Sequence, residues 1–415
     1  MTLMGLCREP DESGQVHAAA RWNPVLAVLS GLAAGAFYSL PFLTVAPNRL
    51  VSGEPLFLWA LIQAPAGGAA WLSAAAVVSL LLMAFFTPGR ILSGFAVALA
   101  LALMVGLVWL AGAQASSVAQ TAPAFARTAL GSGFWLVGLL AGLIAADGLQ
   151  RLGARPMAQS AAAAAVLIPV GLMLAAGWCD ELSLMKEYAN RADVFPGTVL
   201  RHLQIVLLSV CITLCIGLPL GWAACKNARL GRWLFPLLNI IQTIPSIALF
   251  GLLMAPLAVL ALAWPALGRA GISGVGLAPA VIALTLYGLL PVVRATVAGL
   301  QQVSSGVVEA ATGMGMTPGQ IFWRVEAVLA LPVVLGGART ATIQAVGLAA
   351  VTALIGAGGL GSIMFEGLFS AAQDLVLLGV LPIIALGVLA DIGFKAMIAL
   401  IGPNQTASSV RHDRI

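Results

Sequence analysis

The sequence predicts an all-α polytopic membrane protein, and three observations point there. Hydrophobic residues make up 61% of the chain and charged residues 8%, with a mean hydropathy of +1.03, whereas a soluble domain carries about 25% charged residues. Apolar runs recur at lengths able to cross about 30 Å of hydrocarbon. The net charge of +5 does not indicate nucleic acid, because the basic residues are thinly spread beside apolar runs, where membrane topology accounts for them.

Grouping apolar residues between polar breaks gives about ten spans. Five fall at 24–46, 69–86, 91–113, 131–149 and 157–178, and five at 202–224, 234–262, 278–298, 331–354 and 375–398. Backbone amides in lipid must be satisfied within their own segment, so each is read as a helix. The sequence is thereby divided into an N-terminal extension (1–178), an extracytoplasmic connector (179–200), a core (201–400) whose polar loop spans 299–330, and a cytoplasmic tail (401–415). The run from Pro24 is long for a signal core, and Cys7 precedes any apolar stretch, so an uncleaved first span is expected.

Lys and Arg positions set the orientation. Arg8, Arg21, Arg90, Arg151, Arg155, Lys226, Arg229, Arg232, Arg324, Arg411 and Arg414 fall on one face, which is therefore read as cytoplasmic. Arg49, Arg127, Lys186, Arg191, Arg201 and Arg269 fall on the other, with the acidic cluster Asp180, Glu181, Glu187 and Asp193. Both termini and the polar loop then lie in the cytoplasm.

Several patterns that usually announce chemistry fail on context, and no catalytic or metal site is expected. GAGGLG at 356–361 satisfies G-x-G-x-x-G but follows a membrane span, so a helix break or re-entrant bend is the better reading. Lys186, Lys226 and Lys395 are the lysines, and none follows a P-loop glycine. His17, His202 and His412 are mutually remote and lack acidic partners at metal spacing. Cys211 and Cys215, one helical turn apart, read as small packing residues, with no C-x-x-C pairing among Cys7, Cys179, Cys211, Cys215 and Cys225.

Ionisable residues inside spans carry more weight, since each is costly in hydrocarbon. Asp391 and Lys395 lie four apart and either neutralise each other or form an ion relay. Arg294 and Arg339 flank the polar loop; they either snorkel to the interface or brace that loop. Tryptophans such as Trp22, Trp71, Trp109, Trp178, Trp233 and Trp264 fall near span ends, as interfacial belts do. Tyr38, Tyr188 and Tyr287 add no tight ring cluster of the kind a quaternary-ammonium cage needs.

The most informative stretch is EAATGMGMTPGQ at 309–320, a polar, glycine-punctuated hairpin between two spans. Its small residues Ala310, Ala311, Gly313 and Gly315 suit close helix contact. Glu309 favours a helix start, Met316 leads into the second segment, and Thr317-Pro318 begins another short helix. The spacing Glu309-Ala310-Ala311 and Gly315 resembles the EAA-x-x-x-G loop of permease subunits of ATP-binding-cassette importers. The usual continuation I-x-L-P is replaced by Val325-Glu326-Ala327-Val328, leaving Pro332 to supply the bend into the membrane. LNIIQTIPSIALFGLL (238–253), LYGLLPVVRATVAGL (286–300) and LIGAGGLG (354–361) are similar to the glycine betaine, carnitine and choline branch of those permeases. APNRLVSGE, GSGFWL and LSLMKEYANR match an osmoprotectant subtype with a long N-terminal multi-span extension.

The resemblance implies a type I importer fold over the C-terminal half, in a bacterial inner membrane. It implies no cofactor on this chain and ATP-Mg on a cytoplasmic ATPase dimer that docks on the hairpin. A second permease subunit, identical or homologous, and an extracytoplasmic binding protein complete the assembly. Pro219, Pro245, Pro291, Gly356, Gly358 and Gly359 are pore or hinge breaks, or ordinary membrane-helix kinks. Lys186, Glu187, Asn190 and Arg191 either help dock the binding protein or form a solvated linker. An ion-driven carrier of a small zwitterion, dependent on Asp391 or Lys395, is the competing function.

Overall fold

The computed structural model describes residues 22–48, 53–61, 67–86, 89–123, 125–154, 156–269 and 271–401. Arg8, Arg21, Arg49, Arg155, Arg411, Arg414, Cys7, His17, His412 and the tail expected beyond residue 401 lie outside them. The chain forms two compact units, residues 1–154 with 162–179, and residues 155–161 with 180–415. Eight helices among the described residues are long and apolar enough to cross a membrane.

In the first unit, α1 (Pro24–Ser39) leads into β1 (Pro41–Ala46), β2 (Glu54–Phe57), the short α2 (Leu58–Leu61) and α3 (Gly67–Met83). Then follow α4 (Arg90–Thr121), β3 (Arg127–Leu130), α5 (Ser132–Arg151) and α6 (Pro156–Ala175), whose first residues group with the second unit. Asn23 starts α1 by accepting the Leu26 amide on Oδ1 at 3.1 Å, with Pro24 in the first turn. The first span expected at 24–46 is corrected: its helix stops at Ser39, and PFLTVA pairs antiparallel with β2 and β3. Phe42 and Leu43 of that strand are fully buried. The loss of the Leu43, Thr44 and Val45 amides to a helix is thus made good by a sheet ladder.

One further expectation changes in this unit. Tyr38 stacks on Trp59 at 6.3 Å and Trp59 on Phe57 at 6.0 Å, so an aromatic cluster does exist. It is a row of rings facing one another rather than converging walls of a cage.

The second unit runs through α7 (Ser183–Ala189), α8 (Phe195–Lys226), α9 (Ala228–Thr243), α10 (Ser246–Ala263), α11 (Pro265–Arg269) and α12 (Leu277–Gln301). It continues with α13 (Ser305–Gly313), α14 (Pro318–Ile321), α15 (Ala327–Val351), α16 (Leu360–Phe369) and α17 (Gln373–Ile401). The run expected as one span at 234–262 is two helices. Asn227 caps α9, accepting the Arg229 and Leu230 amides at 3.0 and 3.3 Å, and the chain breaks before Ser246, where Pro245 precedes α10.

α12 is the central helix, packed between α8 and α15. Two-thirds (67%) of its most apolar window is buried, against at most 39% in the other spans. Glycine makes the approach close: a Cβ on Gly217 would sit 2.8 Å from Val292 Cγ1, and one on Gly337 would sit 2.8 Å from the Pro291 carbonyl. Ile205, Phe250, Leu284 and Ala349 fill the core that results.

The connector expected to be polar and extracytoplasmic is folded against the core rather than solvated. Leu184, Tyr188 and Phe195 pack on Ile363, Leu375 and Leu378. Arg191 bridges Glu187 at 3.0 Å and Glu366 of α16 at 2.6 Å, and Lys186 pairs with Glu181 at 2.8 Å. Glu187 is 2% exposed; the solvated-linker alternative is therefore excluded.

Candidate functional site

Between α12 and α15 the chain leaves the apolar core as a helical hairpin. Ser304 precedes α13 in extended geometry, so Glu309 lies inside that helix and exposed, which corrects its expected place at a helix start. Ala311 in α13 and Ile321 in α14 turn inward. Glu309, Ala310, Gly313, Gly315, Thr317 and Pro318 are exposed, and Met316 is half-buried.

The turn has a definite hydrogen-bond logic. Gly315 donates its amide to the Thr312 carbonyl at 2.9 Å, and Met316 donates to Ala311 at 3.2 Å, with φ +79° at Gly315. This is a Schellman close, whose left-handed residue favours glycine. A Cβ on Gly315 would meet nothing within 4 Å, so conformation, not space, demands glycine there. Immediately afterwards Thr317 Oγ1 accepts the Gln320 amide at 3.4 Å, and Gln320 Oε1 accepts the Thr317 amide at 2.9 Å. That reciprocal capping box, with Pro318 in the first turn, starts α14 as the sequence predicts.

Where the hairpin returns to the core, residues 322–326 form a π-helical turn. Pro332, expected to supply the bend, lies within α15 instead. π-turns insert an extra residue into a helix and are frequent at functional sites. This one is fastened to the end of α8. Lys226 Nζ lies 3.4 Å from Glu326 Oε1, and the Trp222 and Phe322 rings meet edge to face with centroids 6.0 Å apart. Sequence reasoning missed these four residues. Lys226 entered only as a topology charge and Glu326 only as a departure from I-x-L-P, and the pairs join positions 100 residues apart.

The glycine segment after α15 is the tight bend the sequence predicts. Gly356, Gly358 and Gly359 have φ of +78°, +80° and +82°. Gly276 donates its amide to the Ile355 carbonyl at 2.8 Å, Arg201 Nε donates to Ala357 at 2.9 Å, and a Cβ on Gly359 would lie 3.2 Å from His202 Cα. The bend therefore ties α8 and the start of α12 to α15 and α16. Pro245 sits at the α9 to α10 break, where Tyr287 donates its hydroxyl to the Ile244 carbonyl and Gln242 Nε2 donates to Tyr287 at 2.6 Å. Pro291 is half-buried inside α12, its carbonyl facing Gly337.

The charged residues of the spans resolve into two arrangements. Asp391 accepts from Lys395 at 2.8 Å and from the Arg339 guanidinium, joining α17 to α15. Arg294 Nη2 donates to Asn239 Oδ1 at 2.7 Å. Neither Arg294 nor Arg339 braces the hairpin, which corrects that alternative: their partners lie on α9 and α17.

Two family models match adjoining parts of the chain. The first is the N-terminal domain of ABC transporter permease YehY, over residues 21–185. The second is the inner-membrane component of binding-protein-dependent transport systems, over residues 215–401. The osmoprotectant import permease protein OsmW of Salmonella typhimurium is 38% identical over 202 residues, which are 49% of this chain and 89% of that protein. The chain belongs to the osmoprotectant permeases of ATP-binding-cassette importers. The carnitine transport permease protein OpuCD of Listeria monocytogenes is 34% identical over 210 residues, 50% of this chain and 87% of that protein. The ergothioneine transport permease/ergothioneine binding protein EgtU of Helicobacter pylori is 39% identical over 184 residues, 44% of this chain and 30% of that protein. A solved structure of the MetNI methionine ABC transporter in an inward-facing conformation is 25% identical, covering 51% of this chain and 97% of that one, with a TM-score of 0.43. This permease is thus the multi-span membrane subunit of an importer, a transport protein of an inner membrane, and its family implies ATPase and substrate-binding partners.

Proposed function

We propose that this permease forms the membrane path for a small osmoprotectant such as glycine betaine and takes its energy from a separate ATPase at the 305–321 hairpin. The hairpin carries the reading. It is the polar, exposed element between two apolar spans, with a left-handed turn and a capping box that fix two short helices in one relative pose. Ala310, Gly313 and Gly319 leave its surface bare enough for a partner groove to close on backbone. ATP-Mg binds the partner, two ATPases meet two permease subunits, and a binding protein docks on the opposite face. We place the hairpin and both termini in the cytoplasm, a reading that the basic residues at 226–232 and Arg324 support.

Movement of the hairpin reaches the core through the π-turn. Trp222 and Lys226 at the end of α8 hold Phe322 and Glu326, so displacement of α13 and α14 drags α8. Trp222→Ala is expected to lower uptake several-fold per ATP hydrolysed. A surface ion pair contributes at most about 1 kcal/mol, so Lys226→Glu should act more weakly, and Lys226→Glu with Glu326→Lys should restore coupling. The ratio of solute moved to ATP consumed checks both.

The test of the function is uptake of glycine betaine by proteoliposomes holding this chain with its ATPase and binding protein. Uptake that requires ATP on the ATPase side is the expected result. Uptake without ATP would favour the ion-driven carrier, whose candidate groups Asp391 and Lys395 are instead bound up with Arg339 in a structural cluster. ATP-driven uptake of another solute in its place would move the substrate and leave the mechanism.

A further inference from the structure

α9 exposes two different faces. Trp233, Leu237 and Ile240 are exposed and apolar. Arg232, Pro236, Asn239 and Thr243 are also exposed and follow i, i+4, i+7, i+11, a second stripe about a quarter turn away that is mostly polar. Lipid suits the first stripe and water the second. α12 divides along its length instead. From Ala283 to Val293 no residue is exposed, and then Arg294, Ala298 and Gln301 open at i, i+4, i+7.

Arg294 joins the two stripes through its hydrogen bond to Asn239. It lies seven residues before the end of α12, roughly 10 Å inside the helix end. Its setting differs from that of the other deep charges. Arg339 and Lys395 share Asp391, whereas Arg294 donates to a neutral amide oxygen, and among the described residues no carboxylate lies within ion-pair distance of it. An amide oxygen occupies one donor of a five-donor guanidinium fork and leaves its charge uncompensated. A cation in a span faces an interior or a water-filled path, and α12 is the most buried span of this unit.

We propose that Arg294, aimed by Asn239, is a carboxylate subsite on the cytoplasmic half of the solute path, walled by Arg232, Thr243, Ala298 and Gln301. This rests on the orientation and the zwitterionic substrate class proposed above. A guanidinium recognises carboxylate through two parallel hydrogen bonds, so the site distinguishes a zwitterion, which carries that group, from choline, which does not. The wall carries two positive side chains and no acidic one, which draws the carboxylate end toward the cytoplasmic mouth.

Two measurements on the assembled complex test it. In a cysteine-free background, Arg294→Cys should react with a membrane-impermeant thiosulfonate added on the ATPase side, and Leu237→Cys, on the lipid stripe, should not. An unreactive Arg294→Cys overturns the proposal. In uptake, Arg294→Gln should lower glycine betaine transport about tenfold or more, the scale of a lost charge-assisted pair. Arg294→Lys should fall between, because it keeps the charge and loses the fork. Choline transport should change much less. Equal losses for both solutes, or no loss for glycine betaine, refute a carboxylate subsite. Loss of the Arg294→Gln defect in vesicles without anionic lipid makes a headgroup phosphate the ligand and also refutes it. A wild-type complex that imports neither solute refutes the proposed substrate class, and thiol labelling then decides whether Arg294 lines a path.

Discussion

Gly315→Asp is expected to abolish ATP-driven uptake while leaving the permease folded in the membrane. The residue holds φ +79° in the Schellman close of α13, a conformation that costs a side-chain-bearing residue about 1–2 kcal/mol. α13 has nine residues and α14 four, too few for either to hold its shape against that strain alone. The strain is relieved by opening the turn, which moves the Thr317–Gln320 capping box and with it the pose of α14. Aspartate adds a negative charge beside the carbonyl end of α13, where the helix dipole disfavours it. No atom lies within 4 Å of the added Cβ, so packing of the spans is untouched.

The series separates these causes. Asparagine tolerates the left-handed region and adds no charge, so Gly315→Asn should retain most uptake. Gly315→Ala should lose an intermediate amount, and Gly315→Asp should fall about a hundredfold or more, to the level expected when the energy link is cut. Uptake normalised to assembled complex reads this order. Ala equal to wild type, with Asn impaired, would show that backbone conformation is not what glycine supplies there.

The hairpin was legible in the sequence because its determinants are local. Thr317-Pro318 with Gln320 and the glycine at 315 are cap chemistry within a few residues of each other. The glycine bend at 356–359 was legible for the same reason. Glu309 was misplaced because α13 begins earlier, behind Ser304, and a stretch such as SSGVVEAA offers more than one capping start. The strand Pro41–Ala46 was unreadable as a strand: PFLTVA continues an apolar run, and short apolar runs carry no period that separates helix from strand. Its partner Arg127–Leu130 lies more than eighty residues on. The contacts Lys226–Glu326 and Arg191–Glu366 are likewise products of packing, invisible until α8 and α16 have their neighbours.

Gly361→Ala is expected to prevent assembly of a stable permease. At the start of α16 a Cβ on this residue would lie 1.9 Å from the Ala350 carbonyl oxygen, 2.6 Å from its carbon and 2.8 Å from its Cα. All three are main-chain atoms at the end of α15. Repair requires α16 to withdraw from α15, and Leu360, Ile363 and Leu375, all buried, must follow. Overpacking a core ordinarily costs about 1–3 kcal/mol, and more where the neighbour has no rotamer to change. Thermal unfolding in detergent and the yield of assembled complex should both fall. Gly347→Ala, in α15 with nothing within 4 Å of its Cβ, should be neutral or stabilising by up to about 1 kcal/mol, as in any open helix interior. Gly148→Ala supplies the contrast. Its nearest neighbour is the Val97 Cγ2 methyl at 2.5 Å, followed by the Ser93 carbonyl oxygen at 3.3 Å and Val97 Cβ at 3.9 Å. Val97→Ala should therefore rescue most of the Gly148→Ala loss, leaving the milder Ser93 carbonyl contact, whereas no truncation of Ala350 relieves Gly361→Ala, because all three obstructing atoms belong to the backbone. Rescue of Gly361→Ala by Ala350→Gly would mean that the two helices meet through side chains and that the bend after α15 has more slack than the geometry gives it.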